Sequence, residues 1–190
     1  MTKYLHHYGV PTSLKGKTVL DIGTASGYFA LECARRGGQV TAVDIYEDSI
    51  LTHLASTLNV DIRYVTKSIY ELDENFGRFD LVICGSLLLH LPDQLGAIRR
   101  IHSVCRDRAI IATACTPDSQ TNPRPICEFL GLKASDGDYW TYWSVGAVAL
   151  RNMLLASGFS RVGNEHHFTL RSEPGRTEFA TPHVAMTGIV

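Results

Sequence analysis

The chain has little that would commit it to metal, membrane or nucleic acid. Its five cysteines, Cys33, Cys84, Cys105, Cys115 and Cys127, form no C-x-x-C pair and no zinc spacing, and three lie inside apolar runs. A zinc module and a disulfide framework are therefore excluded, and the thiols read as free in a reducing compartment. No stretch approaches the roughly 18 apolar residues of a membrane helix, and the amino end carries His6, His7 and Pro11 where a signal peptide would have an apolar core. A cytoplasmic protein without a membrane partner is expected. The formal net charge of −1 gives no global reason to expect nucleic acid, although a local basic patch stays open. Repeats and low-complexity tracts are also missing.

What is present is ordinary globular composition arranged in a regular alternation. With 190 residues, 45% of them hydrophobic and 19% charged, the chain is expected to form one domain over residues 1–190 with a substantial core. The stretch Thr18 to Gly27, T-V-L-D-I-G-T-A-S-G, reads as a buried strand, a glycine-punctuated loop and the start of a helix. That helix carries Phe29, Leu31, Cys33 and Ala34, ends in Arg35 and Arg36, and stops at Gly37 and Gly38. Gln39 to Ile45 is a second strand. Glu47 and Asp48 then open a helix with Ile50, Leu54 and Leu58 on one face.

Asp61 to Thr66 and Phe79 to Cys84 are the next strands, the second a continuous apolar run of the kind found inside parallel sheets. Pro92 fits the first turn of a helix with Leu95, Ile98 and Cys105 facing inward, and Ala109 to Ala114 is a fifth strand. Residues 117–143 break the alternation with prolines, turn formers and Y-W-T-Y-W, which suggests a substrate-side insertion. A helix from Val145 to Ala156 and two strands, Ser160 to Leu170 and His183 to Ile189, complete the chain, joined through E-P-G-R-T-E. The pattern predicts an α/β fold with a Rossmann-like, doubly wound, mostly parallel seven-stranded sheet and a C-terminal antiparallel hairpin.

The loop narrows the ligand. Gly23 and Gly27 are spaced G-x-x-x-G with Ala25 between them, which is neither the G-x-G-x-x-G of dinucleotide folds nor a phosphate-binding P-loop. Asp21 ends the first strand and Asp44 the second, about twenty residues after Gly23, where an acid can accept hydrogen bonds from ribose hydroxyls. A ligand with a ribose, an adenine and a zwitterionic amino-acid tail suits both acids, and S-adenosylmethionine is such a molecule.

Taken together, D21-I-G-T-A-S-G27, V43-D44, F79-D-L-V-I-C84 followed by G-S-L-L-L-H-L, and R151-N-M-L-L-A-S-G-F159 resemble the class I S-adenosylmethionine-dependent methyltransferases over nearly the whole chain. More narrowly, L14-K-G-K-T-V-L-D-I-G-T, R78-F-D-L-V and the W143…L150-R-N-M-L-L-A-S-G-F block resemble the bacterial enzymes that modify wobble uridine of tRNA. The resemblance implies that Asp21, Gly23, Thr24 and Ala25 line the methionine end of the cofactor. It further implies that Asp44 holds the ribose with Ile45 against the adenine, that Ser68 and Ile69 meet the adenine edge, and that Gly85 and Ser86 face the sulfonium. Family members often carry Asp at the position of Ser68. The tRNA enzymes have an additional N-terminal region not found in these residues, and with the balanced charge this favours a small-molecule acceptor over nucleic acid.

Methyl transfer to a hydroxyl or amine is helped by a base, and His90 is the catalytic candidate, with packing in the turn before Pro92 as its structural alternative. His6 and His7, with Tyr4 and Tyr8, either fold over the cofactor as a lid or form a terminus without a specific role. Tyr139, Trp140, Tyr142 and Trp143 either line an apolar pocket or pack the insertion on the sheet. His166 and His167 point to opposite faces of a strand, so no metal site is expected. Glu128, Asp136 and Asp138 read as solvated loop charges, with a cationic substrate as the alternative. The expected activity is methyl transfer to an oxygen, nitrogen or carbon of a small metabolite. The alternatives are a tRNA-modifying enzyme and a non-catalytic cofactor-binding protein; oligomeric state is left open.

Overall fold

A computed structural model describes residues 5–46, 49–133, 140–171 and 180–190. Its main sheet is assembled from β1 (Thr18–Ile22), β2 (Gln39–Asp44), β3 (Ile62–Thr66), β4 (Phe79–Gly85), β5 (Cys105–Ala114), β8 (Arg161–Arg171) and β9 (Ala180–Ile189). The order is β3-β2-β1-β4-β5-β9-β8, with the first five strands parallel and β9 antiparallel to both β5 and β8. The expected seven-stranded sheet and terminal hairpin are thus formed, with β9 inserted between β5 and β8. Strand order reverses between β1 and β4, and the carboxyl ends at that reversal are where open α/β sheets bind ligands.

Helices α2 (Tyr28–Arg35), α3 (Ser49–Thr57), α4 (Gln94–Ser103) and α5 (Ala147–Ala156) cover the sheet, and a four-residue α1 (Leu5–Tyr8) packs against β5, β8 and β9. Two apolar clusters result, one on each face. Ile98, Ile101, Leu150, Leu154 and Phe159 belong to the first, and Leu5, Tyr8, Leu14, Cys33, Leu51 and Phe168 to the second. Strand residues supply both clusters, which is why the middle strands read as unbroken apolar runs.

Three expectations need correction. In α3 the buried residues are Leu51 and Ala55, whereas Ile50 is 54% exposed and Leu58 also faces solvent. Tight packing sets the rotation: a Cβ on Gly27 would lie 2.2 Å from Leu51 Cδ1, so the leucine fills the space that glycine leaves. Pro92 lies before α4, whose N-cap is Asp93 accepting from Gly96 N–H at 2.8 Å, and Cys105 begins β5 instead of closing the helix. The insertion, expected to be turn-rich, contains a two-stranded antiparallel sheet of β6 (Cys127–Lys133) and β7 (Trp140–Val145). Glu47, Asp48, Asp136, Asp138, Tyr139, Tyr4 and the E-P-G-R-T-E turn lie outside the described residues.

Gly27 combines φ +81° with that contact, so Gly27→Ala is both conformationally strained and overpacked. Chemical denaturation is expected to show a loss of about 2–4 kcal/mol. In the Gly27→Ala/Leu51→Ala double variant the two costs should be less than additive, because the leucine methyl that collides is gone.

Candidate active site

The glycine loop is organised from beneath. Asp21, 1% exposed at the end of β1, accepts the Thr24 hydroxyl at 2.7 Å and the Ala30 N–H at 3.0 Å through one carboxylate oxygen. Ala30 lies in the first turn of α2, whose N-cap Gly27 makes no side-chain cap, so Asp21 caps the helix from a neighbouring strand. Burial pushes the Asp21 carboxyl up to about 6, the bonds from Thr24 and Ala30 opposing the shift and the Asp44 charge adding to it. Asp21 and Thr24 were expected to line the ligand site. Both are buried beneath the cavity, with one Asp21 oxygen engaged by the loop and the helix.

Above them lies a cavity of about 780 Å³ at the carboxyl ends of β1, β2, β3 and β4. Gly23, Ala25, Asp44, Ile45, Ser68, Ile69, Gly85, Ser86 and His90 all line it. Asp44 is fixed by two backbone donors, Ala25 N–H to Oδ2 at 2.9 Å and Ile45 N–H to Oδ1 at 2.7 Å. Each oxygen keeps a lone pair for a vicinal diol. The mouth beside it is apolar, with Ile45 56% exposed and Ile50 close by, a surface suited to the face of a purine. Gly23 (φ +70°) leaves room for Leu87, whose Cδ2 would lie 2.9 Å from an added Cβ.

Ser68 has a second task. Its hydroxyl accepts Tyr70 N–H at 3.3 Å and its own N–H donates to Glu71 at 2.9 Å, a capping box that starts the short 3-10 turn Ile69–Glu71. Ser86 follows β4 with φ +64°, held by its N–H to the Ala112 carbonyl at 2.8 Å. The Nδ1 of His90 lies 2.8 Å from the Trp140 carbonyl oxygen, so that nitrogen carries the proton and donates. With the Trp143 indole donating to the Pro92 carbonyl at 3.2 Å, this tie holds the β6–β7 arm beside the cavity. Trp140 and Tyr142, two apart on β7, stack at 6.0 Å and line the cavity, whereas Trp143 turns toward Pro92.

His6, His7 and Tyr8 do not line the cavity; Tyr8 is buried against Phe29, and His7 stacks on Phe168 at 5.0 Å. His166 is exposed and His167 pairs with Glu165 at 2.9 Å. Lys67, Tyr64 and Ile50 line the cavity without having been singled out from the sequence; only Ile50 left a trace there, as an apolar residue on the face that turns out not to be the buried one. A second depression of about 630 Å³ lies at the opposite, amino ends of the strands, between Thr18, Gln39 and Asp61, away from the glycine loop.

An acid held by backbone donors, a glycine loop and an aromatic-flanked opening lie together at the switch point of the α/β sheet, where folds of this class bind their ligands. Residues 3–172 match the family described as "Methyltransferase domain", and the chain belongs to that family. It is similar to the ubiquinone biosynthesis O-methyltransferase of Pseudomonas paraeruginosa, 37% identical over 97 residues that span 49% of this chain and 41% of the relative. The chain thus spans less than half the length of the curated relatives it matches. The fold is shared with the crystal structure of Burkholderia thailandensis 1,6-didemethyltoxoflavin-N1-methyltransferase with bound 1,6-didemethyltoxoflavin and S-adenosylhomocysteine. That likeness has TM-score 0.65 and 22% identity, covering 99% of this chain and 75% of the other. Magnesium protoporphyrin IX methyltransferase from Synechocystis, crystallised with bound S-adenosylmethionine, gives TM-score 0.68 and 16% identity over 98% of this chain and 77% of that one. No helix among the described residues is long and apolar enough to cross a membrane.

The raised Asp21 pKa sets a direction for stability. Below the unfolded value of 3.8 the protonated group carries no penalty, and its favourable contribution is lost as pH rises through about 6. Asp21→Asn removes the ionisation, so the variant should gain on the wild type between about pH 4 and 6, reaching roughly 3 kcal/mol above that range. Urea denaturation at pH 4, 5, 6 and 7.5 reads the difference.

Proposed function

We propose that this chain transfers a methyl group from S-adenosylmethionine to an oxygen, nitrogen or carbon nucleophile of a small-molecule metabolite. The observation that carries the reading is Asp44, lining the cavity with both carboxylate oxygens oriented by backbone N–H groups. When bound, S-adenosylmethionine supplies an electrophilic methyl group. Asp44 holds the ribose, Ile45 and Ile50 cover the purine, and Ser68 with Ile69 meets its edge. The Gly23 to Gly27 loop receives the amino-acid tail, with Asp21 and Thr24 acting through the loop they brace. Gly85 and Ser86 border the reacting end.

His90 is the candidate base. Its Nδ1 proton is donated to Trp140, and in that tautomer Nε2 is the nitrogen that accepts a proton. The acceptor side is walled by His90, Trp140 and Tyr142, and its openness argues for turnover over passive cofactor binding. The relatives named above bear small-molecule names, and the net charge of −1 gives tRNA no electrostatic hold, so the wobble-uridine likeness is not extended to the acceptor.

Isothermal calorimetry tests the donor. S-adenosylhomocysteine is expected to bind and NADH is not; failure of the first sinks the proposal. Asp44→Ala should weaken S-adenosylhomocysteine roughly 10- to 150-fold, the worth of charge-assisted hydrogen bonds of about 1.5–3 kcal/mol.

A further inference from the structure

Tyr70 belongs to the 3-10 turn Ile69–Glu71 and lines the donor cavity beside Ser68 and Ile69. From there it reaches the start of α4, 23 residues further along the chain. Its hydroxyl donates to the Asp93 carbonyl at 3.1 Å and accepts the Asp93 N–H at 3.2 Å. Burial pushes the Tyr70 phenol up, with the bond to Asp93 opposing the shift, so the O–H keeps its proton and both roles at neutral pH.

The Asp93 N–H and the Pro92 carbonyl are the two polar ends of one peptide group, and in a trans peptide they point in opposite directions. The Pro92 carbonyl accepts the Trp143 indole at 3.2 Å. One peptide plane is therefore gripped by Tyr70 from the purine end of the cavity and by Trp143 from the β6–β7 arm, and bonds in line through one amide polarise each other. His90 is attached to the same unit. Gln94, the first residue of α4 and 6% exposed, donates its side-chain amide to the Leu88 carbonyl at 3.0 Å. That bond fixes the 3-10 turn Leu88–His90, and His90 in turn holds the Trp140 carbonyl. Turn, helix start and arm are thus bonded together, and Tyr70 ties them to the turn that follows β3.

We propose that Tyr70 is a positioning residue for methyl transfer: through the Pro92–Asp93 peptide it holds His90 and the β6–β7 arm in register with the bound donor, so that filling the purine end steadies the acceptor wall. The inference rests on the methyl-donor reading and adds to it a link between the two halves of the cavity. Because such a link is reciprocal, the arm's hold on that peptide also contributes to donor affinity.

The test uses the full chain, labelled with ¹⁵N-tryptophan and titrated with S-adenosylhomocysteine. The chain has two tryptophans, both on β7, and Trp143 does not line the cavity, so a change at its indole N–H is not a ligand contact. S-adenosylhomocysteine is expected to slow exchange of that N–H with water about two- to tenfold in the wild type. Tyr70→Phe keeps the ring and loses the hydroxyl, and should abolish the slowing. By calorimetry, Tyr70→Phe and Trp143→Phe should each weaken S-adenosylhomocysteine about two- to tenfold, and the double variant should bind no more weakly than the weaker single one. Indole exchange that the ligand leaves unaltered in the wild type, slowing that survives Tyr70→Phe, or losses that multiply in the double variant overturn the proposal. The wild-type exchange measurement needs no variant to fold. A wild-type chain that does not bind S-adenosylhomocysteine overturns the donor reading first and this inference with it, an outcome distinct from binding without an effect on Trp143.

Discussion

The buried carboxylate of Asp21 is the constraint on which the donor half of the molecule depends. It sits at the end of the strand beside the reversal of strand order, and its acceptor bonds reach into both the loop, through Thr24, and α2, through Ala30. Gly27 must be glycine to admit Leu51, and so cannot cap its own helix. The cap is supplied from β1, at the cost of holding a carboxyl in an apolar interior where its pKa climbs to about 6. Loop position, helix start and the site of Asp44 all follow from that bond pattern, since Ala25 N–H is the donor that orients Asp44.

Backbone strain falls where this arrangement meets the cavity. Four non-glycine residues among those described have positive φ: Ala25, Asn59, Ser86 and Asn164. The two asparagines are types that enter the left-handed region readily, whereas alanine and serine have no such ease and incur roughly 1–2 kcal/mol each. Ala25 and Ser86 are the two that line the cavity. At Ala25 the turn aims an N–H at Asp44, and at Ser86 it turns the chain away from β4 toward the His90 segment, so in both places the strained residue sets the direction of the site.

The donor half was legible in the sequence because its determinants are local. Strand, loop and acid follow one another within Thr18 to Asp44, and the alternation of apolar runs with helical periods gave the sheet up to its terminal hairpin. What escaped depends on contacts distant in the chain. That one oxygen of Asp21 braces Thr24 and Ala30 is visible only in the fold. The rotation of α3 was misread because Ile50, Leu54 and Leu58 make as good a stripe as Leu51 and Ala55, and only the gap at Gly27 decides between them. The β6–β7 sheet was hidden by prolines and turn formers that surround its strands.

The acceptor half shows why distance in sequence matters for function as well. His90 and Trp140 are fifty residues apart, Pro92 and Trp143 fifty-one, yet these two bonds hold the β6–β7 arm against the cavity. Two histidines, His90 and His183, give the Nδ1 proton to a backbone carbonyl, Trp140 in one case and Thr181 in the other. A backbone carbonyl has no proton to give and no charge to lose, so it fixes the tautomer of each ring over the pH range in which imidazole stays neutral. Positioning of this kind does not depend on the donor loop at all. The Thr18 to Asp44 stretch and the β6–β7 arm are thus held by separate sets of bonds, so a change in one leaves the other's ties in place.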